Sequence, residues 1–168
     1  MEIRTAQPLT APVAPVPTTL ETAAIVGRVS PPRRDIPGTA LRVFPTAMSG
    51  KHFGTTVSDT AVGEILDAFT ALGGNMIDTA DAYGDGRSEQ LIGEWLHRRG
   101  NRDRVVIATK VGKSREHPGL SASAITSAVD ASLRRLGTDR VELLPAHRRH
   151  RGAVRGDAAH GRRAHPAR

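Results

Sequence analysis

Four polar side chains stand at or just past the ends of apolar runs, where a parallel sheet would gather them. Asn75-Met76-Ile77 closes on Asp78, and the only tyrosine, Tyr83, follows five residues later. Val105 to Thr109 closes on Lys110, and the run Val141 to Leu144 is followed closely by His147. These residue types could together reduce a carbonyl. The oxygen needs a proton donor while hydride arrives at carbon, and a free phenol, with a pKa near 10, donates poorly at neutral pH. A lysine ammonium beside the phenol favours the phenolate and makes the hydroxyl a better donor. A carboxylate holds that lysine charged and oriented, and a histidine can position the carbonyl. Taken singly, the same residues have plainer roles: a strand-end Asp caps a turn, a Tyr sits on a rim, a Lys ends a strand in solvent. Trp95 falls at core spacing with Leu91 and reads as packing, while His52, His97 and His117 read as surface or loop residues. Asp81 and Asp85 could suggest a metal but lack a converging partner set, so no metal is assigned.

The elements that must position these groups follow from periodicity. Val62, Ile65, Leu66, Phe69 and Leu72 recur at helical spacing, started near Ser58 or Asp59 and stopped by Gly73-Gly74. Leu91, Ile92, Trp95 and Leu96 mark a second helix, capped by Ser88 and ended before Gly100. Ile125, Ala128, Val129, Leu133 and Leu136 mark a third, opened near Ser121 and closed by Gly137. Strands are expected over 75–78, from Val105, and over 140–144. Nearly uniform apolar strands alternating with helices indicate parallel βαβ units buried on both faces. In such folds the chemistry collects at the carboxyl ends of the strands, where Asp78, Lys110 and His147 would lie.

Four segments carry a resemblance. Gly74 to Gly84 (GNMIDTADAYG), Gly86 to Glu89 (GRSE), Arg102 to Gly112 (RDRVVIATKVG) and Ala131 to Asp139 (ASLRRLGTD) look like the aldo-keto reductases, and the match is dense from about Leu41 to Leu144. The resemblance implies an α/β fold, a partial (β/α)8 TIM barrel of about four βα units, and NADPH-dependent reduction of an aldehyde, ketone or keto-sugar to an alcohol. By motif position it implies Tyr83 as general acid, Lys110 assisting it, Asp78 supporting Lys110, and His147 orienting the carbonyl. The motifs are similar in style to those of bacterial members acting on sugars and polyketide-type ketones, including deoxysugar reductases. Where the family usually shows a Gly-Thr-type pair before an aromatic-Gly, this chain has Ser49 and Gly50, followed by Lys51, His52, Phe53 and Gly54. Ser49, Gly50 and Lys51, with Asp78, are the implied cofactor contacts. A closed eight-unit barrel takes about 250 residues, so the later elements that grip the cofactor phosphates are expected to be missing.

Charge and composition bound what remains. Of 168 residues 38% are hydrophobic and 3% aromatic, so the core must be built mostly from Ala, Val, Ile and Leu. The formal charge of +7 is concentrated in residues 145–168, which hold seven Arg and one Asp, so no general basic surface follows. The absence of cysteine excludes disulfides and thiolate metal sites. No apolar run reaches the ~20 residues needed to span a bilayer, and prolines at 8, 12, 15 and 17 interrupt any signal-peptide core, so a cytoplasmic location is expected. Residues 1–36, rich in proline, read as a disordered extension, 37–144 as the N-terminal half of the barrel, and 145–168 as a basic low-complexity tail. That tail has the composition of GC-rich codons read out of frame, which suggests a frameshift. A half barrel would expose an unpaired strand edge, so the chain as given is expected to be truncated, marginally stable and inactive. The alternative reading is a non-enzymatic fragment or regulatory module whose basic tail binds a polyanion such as nucleic acid.

Overall fold

The structure is a computed structural model and describes residues 31–147. The expected basic tail therefore lies outside the described residues apart from its first three positions, and most of the proline-rich extension lies outside them as well.

The described chain opens with a small antiparallel hairpin of β1 (Arg34–Asp35) and β2 (Arg42–Val43). Its turn is closed by the Ile36 N–H on the Leu41 carbonyl and by Thr39, whose hydroxyl donates to the Ile36 carbonyl at 2.8 Å. The extension expected over 1–36 therefore ends too late. Pro37-Gly38 forms a chain reversal, with Gly38 at φ +77°, which lets Asp35 meet Arg42 at 3.1 Å. Asn75 anchors this hairpin to the rest of the fold. Its amide donates to the Arg42 carbonyl at 3.0 Å and accepts from the Phe44 N–H at 2.7 Å.

Next come three β-strands and three helices in strict alternation: β3 (Met48–Ser49), α1 (Asp59–Ala71), β4 (Met76–Asp78), α2 (Arg87–Arg99), β5 (Val106–Ala108) and α3 (Ala122–Leu136). The strands pair in parallel in the order β3-β4-β5, with Ser49 beside Asp78 and Asp78 beside Ala108. A parallel ladder demands a crossover on its face, and the helices supply it. The caps of the outer two helices stand where sequence placed them. Ser58 accepts from the Ala61 N–H, and Ser121 accepts from the Ala124 N–H at 3.2 Å. Gly137, at φ +61°, ends α3 with the Thr138 N–H on the Leu133 carbonyl.

Two expectations need correction. Ser88 does not cap α2, because the cap is Gly86 in a left-handed conformation (φ +92°), reached after Gly84 and Asp85 also take positive φ. Those three residues wind the chain back so tightly that the helix starts at Arg87, one residue before Ser88. The strand expected over 140–144 is reduced to isolated bridges, Leu143 to Ala108 and Ala146 to Val111. The cause is Glu142, whose carboxylate takes the Ile107 N–H at 2.7 Å and so replaces a ladder carbonyl. Three βα units and the beginning of a fourth are thus visible, against about four expected.

One apolar cluster holds the layers together. Ile77 and Ile107 of the sheet pack with Val62 and Leu66 of α1, Leu91, Ile92, Trp95 and Leu96 of α2, and Leu136 of α3. Side chains of this size contribute about 1.5–3 kcal/mol each when fully buried. Trp95 is buried as expected for packing, and its indole N–H donates to Asp67 at 2.9 Å. Helices α2 and α3 meet at Gly93, where an added Cβ would lie 2.6 Å from the Leu136 carbonyl oxygen, so no larger residue fits. Among the described residues no helix is long and apolar enough to cross a membrane.

Candidate active site

At the carboxyl ends of β4 and β5 the Lys110 ammonium lies 2.7 Å from Asp78 Oδ1, 2.8 Å from the Thr79 carbonyl oxygen and 3.4 Å from the Tyr83 hydroxyl. The same Nζ stands 5.0 Å from the centre of the Tyr83 ring. Parallel register brings this about: Asp78 pairs with Ala108, so Lys110, two residues beyond Ala108, ends on the same face as Asp78. The Asp81 N–H on the Lys110 carbonyl (2.9 Å) and the Tyr83 N–H on the Ala80 carbonyl (3.1 Å) then fold the β4–α2 loop back over the strand ends. His147 comes in from the far side of β5. Its N–H donates to the Val111 carbonyl at 2.8 Å, and its ring meets that of Tyr83 edge-on with centroids 6.3 Å apart. All four residues singled out for chemistry therefore converge.

Burial and neighbouring charge both disfavour the protonated form of the histidine. Burial pushes the His147 imidazole below its ordinary value, and the ammonium groups of Lys113 and then Lys110 push it further, against Asp81 and Asp78. Its Nδ1 is buried and has no partner among the described residues. A neutral ring can offer a hydrogen bond to a carbonyl oxygen without carrying a second full charge into the site.

The residues expected at the cofactor occupy the neighbouring strand end. Ser49 pairs with Asp78, the Gly50 N–H donates to the Asp78 carbonyl at 2.8 Å, and Lys51 is exposed with its N–H on Ser49 Oγ. An added Cβ at Gly50 would stand 2.6 Å from Ser88 Oγ, so the close approach here requires glycine. Beside this groove Asp78 spends only Oδ1 on Lys110, and Lys51 has no ionic partner among the described residues. Hydroxyl, carboxylate and ammonium groups thus stand together on the β3 side of Lys110 and Tyr83.

Spacing did not reveal the supports underneath. Ser88 Oγ lies 2.9 Å from both Thr79 Oγ1 and the Gly50 carbonyl, tying together the two strand ends that flank Asp78. Fully buried Glu89 accepts from Thr109 Oγ1 at 2.5 Å and is paired with Arg135 at 2.7 Å, which fixes the residue before Lys110. Asp81 accepts the Gly112 N–H at 3.2 Å, and burial pushes its carboxyl above the usual carboxylate range. A signal for two of these existed: Ser88 and Glu89 share helical faces with Ile92 and Leu96, and Arg135 continues the buried stripe Ala128, Ala131, Ser132. Polar groups on an apolar stripe must find buried partners.

Comparison with known proteins gives a consistent result. The model of the Aldo/keto reductase family matches residues 46–153. The aryl-alcohol dehydrogenase [NADP(+)] of Phanerodontia chrysosporium is 34% identical over 136 residues, covering 68% of this chain and 35% of that protein. Norsolorinic acid reductase B of Aspergillus parasiticus is 38% identical over 130 residues, covering 66% and 34%. Among solved structures, aldo-keto reductase AKR11C1 from Bacillus halodurans in its holo form superposes with a TM-score of 0.62 at 33% identity, over 68% of this chain and 39% of that one. The chain spans about a third of the length of these two curated relatives.

Proposed function

Because this chain belongs to the aldo/keto reductase family, we propose that it carries the catalytic half of an NADPH-dependent carbonyl reductase site, converting an aldehyde or ketone to an alcohol. The observation that carries this reading is the Lys110 ammonium held between Asp78 Oδ1 at 2.7 Å and the Tyr83 hydroxyl at 3.4 Å. In this reading the substrate oxygen accepts hydrogen bonds from Tyr83 Oη and from the neutral imidazole of His147. Tyr83 delivers the proton to that oxygen. Lys110 stabilises the phenolate left behind, and Asp78 keeps the ammonium aimed at it. NADPH, when bound, supplies the hydride. Ser49, Gly50, Lys51 and the unspent oxygen of Asp78 would hold its nicotinamide end, and the names of relatives that use NADP(+) support that choice.

Because the chain spans about a third of the length of these relatives, the test is NADPH oxidation with a panel of aromatic and aliphatic aldehydes by a form extended to their full length, followed by Tyr83→Phe. Reduction should fall by about 10²–10⁴-fold, with NADPH affinity, read by fluorescence titration, nearly unchanged. A variant that keeps turnover, or one that loses the cofactor instead, would remove Tyr83 from the proton-transfer step.

A further inference from the structure

The loops at the carboxyl end of the sheet carry several cations, and most are neutralised where they stand. Lys110 is paired with Asp78, Arg115 with Asp85 at 3.7 Å, and Arg87 with Asp59 and Glu94. His117 lies 3.8 Å from Glu116. Two ammonium groups, Lys51 and Lys113, have no carboxylate partner among the described residues. Their places differ. Lys51 is exposed, beyond β3 on the side given above to the cofactor, whereas Lys113 is half-buried, beyond β5 on the side where His147 enters.

The position of Lys113 is built rather than incidental. Val111 is bridged to Ala146 and accepts the His147 N–H, which places the histidine beside this stretch of chain. Gly112 is held by Asp81 at its N–H and turns at φ +112°, a conformation that favours glycine. Just beyond, buried Ser114 accepts the N–H groups of Glu116 and His117, which stiffens the loop that carries Lys113. Of the two ammonium charges acting on the His147 ring, that of Lys113 is the stronger. A half-buried ammonium with no carboxylate partner among the described residues is available to an incoming anion.

We propose that Lys113 is a specificity-determining residue that binds a carboxylate on the carbonyl substrate, on the flank of the tetrad opposite the cofactor. This assignment rests on the reductase reading for its word substrate, and the sheet order β3-β4-β5 supplies the geometry. A phosphate of the cofactor is the other anion that could meet such a cation. The two sources separate by side: an anion of the cofactor would approach from the side of Lys51, a substrate carboxylate from that of Lys113.

The chain contains one tyrosine, so incorporation of 3-fluorotyrosine places a single ¹⁹F resonance at Tyr83. Benzoate and its neutral counterpart benzamide are titrated against the 168-residue chain, with no turnover required. Benzoate should shift the resonance and bind about five-fold more tightly than benzamide. Lys113→Gln should remove that preference without changing benzamide binding, Lys113→Arg should retain it, and Lys51→Gln should leave it intact. A preference that survives Lys113→Gln, or that disappears with Lys51→Gln, overturns the assignment, as does equal binding of the two ligands by the unaltered chain. NADPH-dependent reduction of 4-carboxybenzaldehyde and benzaldehyde is measured alongside. Equal reduction of both sinks the carboxylate site and leaves the reductase standing. Benzoate preference without reduction of either does the reverse.

Discussion

Two half-buried ion pairs flank the same short sheet, and they are finished differently. Arg102 and Glu142, which meet at 2.8 Å, are heavily engaged: the guanidinium also donates to Thr138 Oγ1, to the Val105 carbonyl and to the Arg140 carbonyl, and the second Glu142 oxygen takes the Ile107 N–H. Lys110 and Asp78, at the carboxyl ends, meet at a similar distance of 2.7 Å, yet Asp78 is more exposed than Glu142, its Oδ2 takes no hydrogen bond from the described residues, and the neighbouring His147 Nδ1 is unsatisfied. A pair with both carboxylate oxygens and most donors engaged within the protein serves to hold the fold. One that keeps valence in hand can receive a ligand, and the cost of that reserve is borne by the rest of the structure.

Substituting each pair should separate these roles. Lys110→Met is expected to lower carbonyl reduction by about 10²–10⁴-fold, because the phenolate loses its counter-charge, while the urea midpoint moves little. A large fall in the midpoint would mean that this pair is a staple as well. Arg102→Ala should show the opposite pattern. It leaves the Glu142 carboxylate partly buried and uncompensated, at about 3 kcal/mol of stability, measurable by urea unfolding, with turnover per folded molecule unchanged. Equal behaviour of the two variants would erase the contrast between the ends.

Acidity gives the smallest effect. Because the folded state holds the His147 imidazole below its ordinary value, the unfolded chain binds that proton first. Stability should therefore be constant above the unfolded pKa and decline as the pH falls through and below it. Imidazole ¹H–¹³C titration should find one histidine that protonates below the others, and His147→Gln should delete it. Lys113→Gln should raise it. A His147 that titrates with the exposed histidines would mean that the carboxyl end is as open as any surface loop.

Much of the layout could be read before any coordinates. Apolar period and cap chemistry place α1 and α3 to within a residue, because Ser58, Ser121 and Gly137 act through their own backbone neighbours. Asp78, Tyr83 and Lys110 are legible for a related reason: strand ends are visible as the limits of apolar runs, and parallel register then puts those limits side by side. The start of α2 is not legible, since nothing local announces that Gly84, Asp85 and Gly86 all take positive φ. The interrupted ladder at 140–144 was misread because a glutamate side chain from one segment displaced a carbonyl partner in another.

What the sequence by itself determined is therefore short-range: periodicity, caps, strand limits and the residue types at those limits, all set within a few positions along the chain. What only the tertiary structure decided is which groups are buried together. Ser88 joining Thr79 to Gly50, Glu89 joining Thr109 to Arg135, and Lys113 beside His147 without a carboxylate partner among the described residues each depend on segments brought from 9 to 46 positions away. The strength of a charge or hydrogen bond depends on distance and on the exclusion of water, and neither quantity exists until the layers have packed.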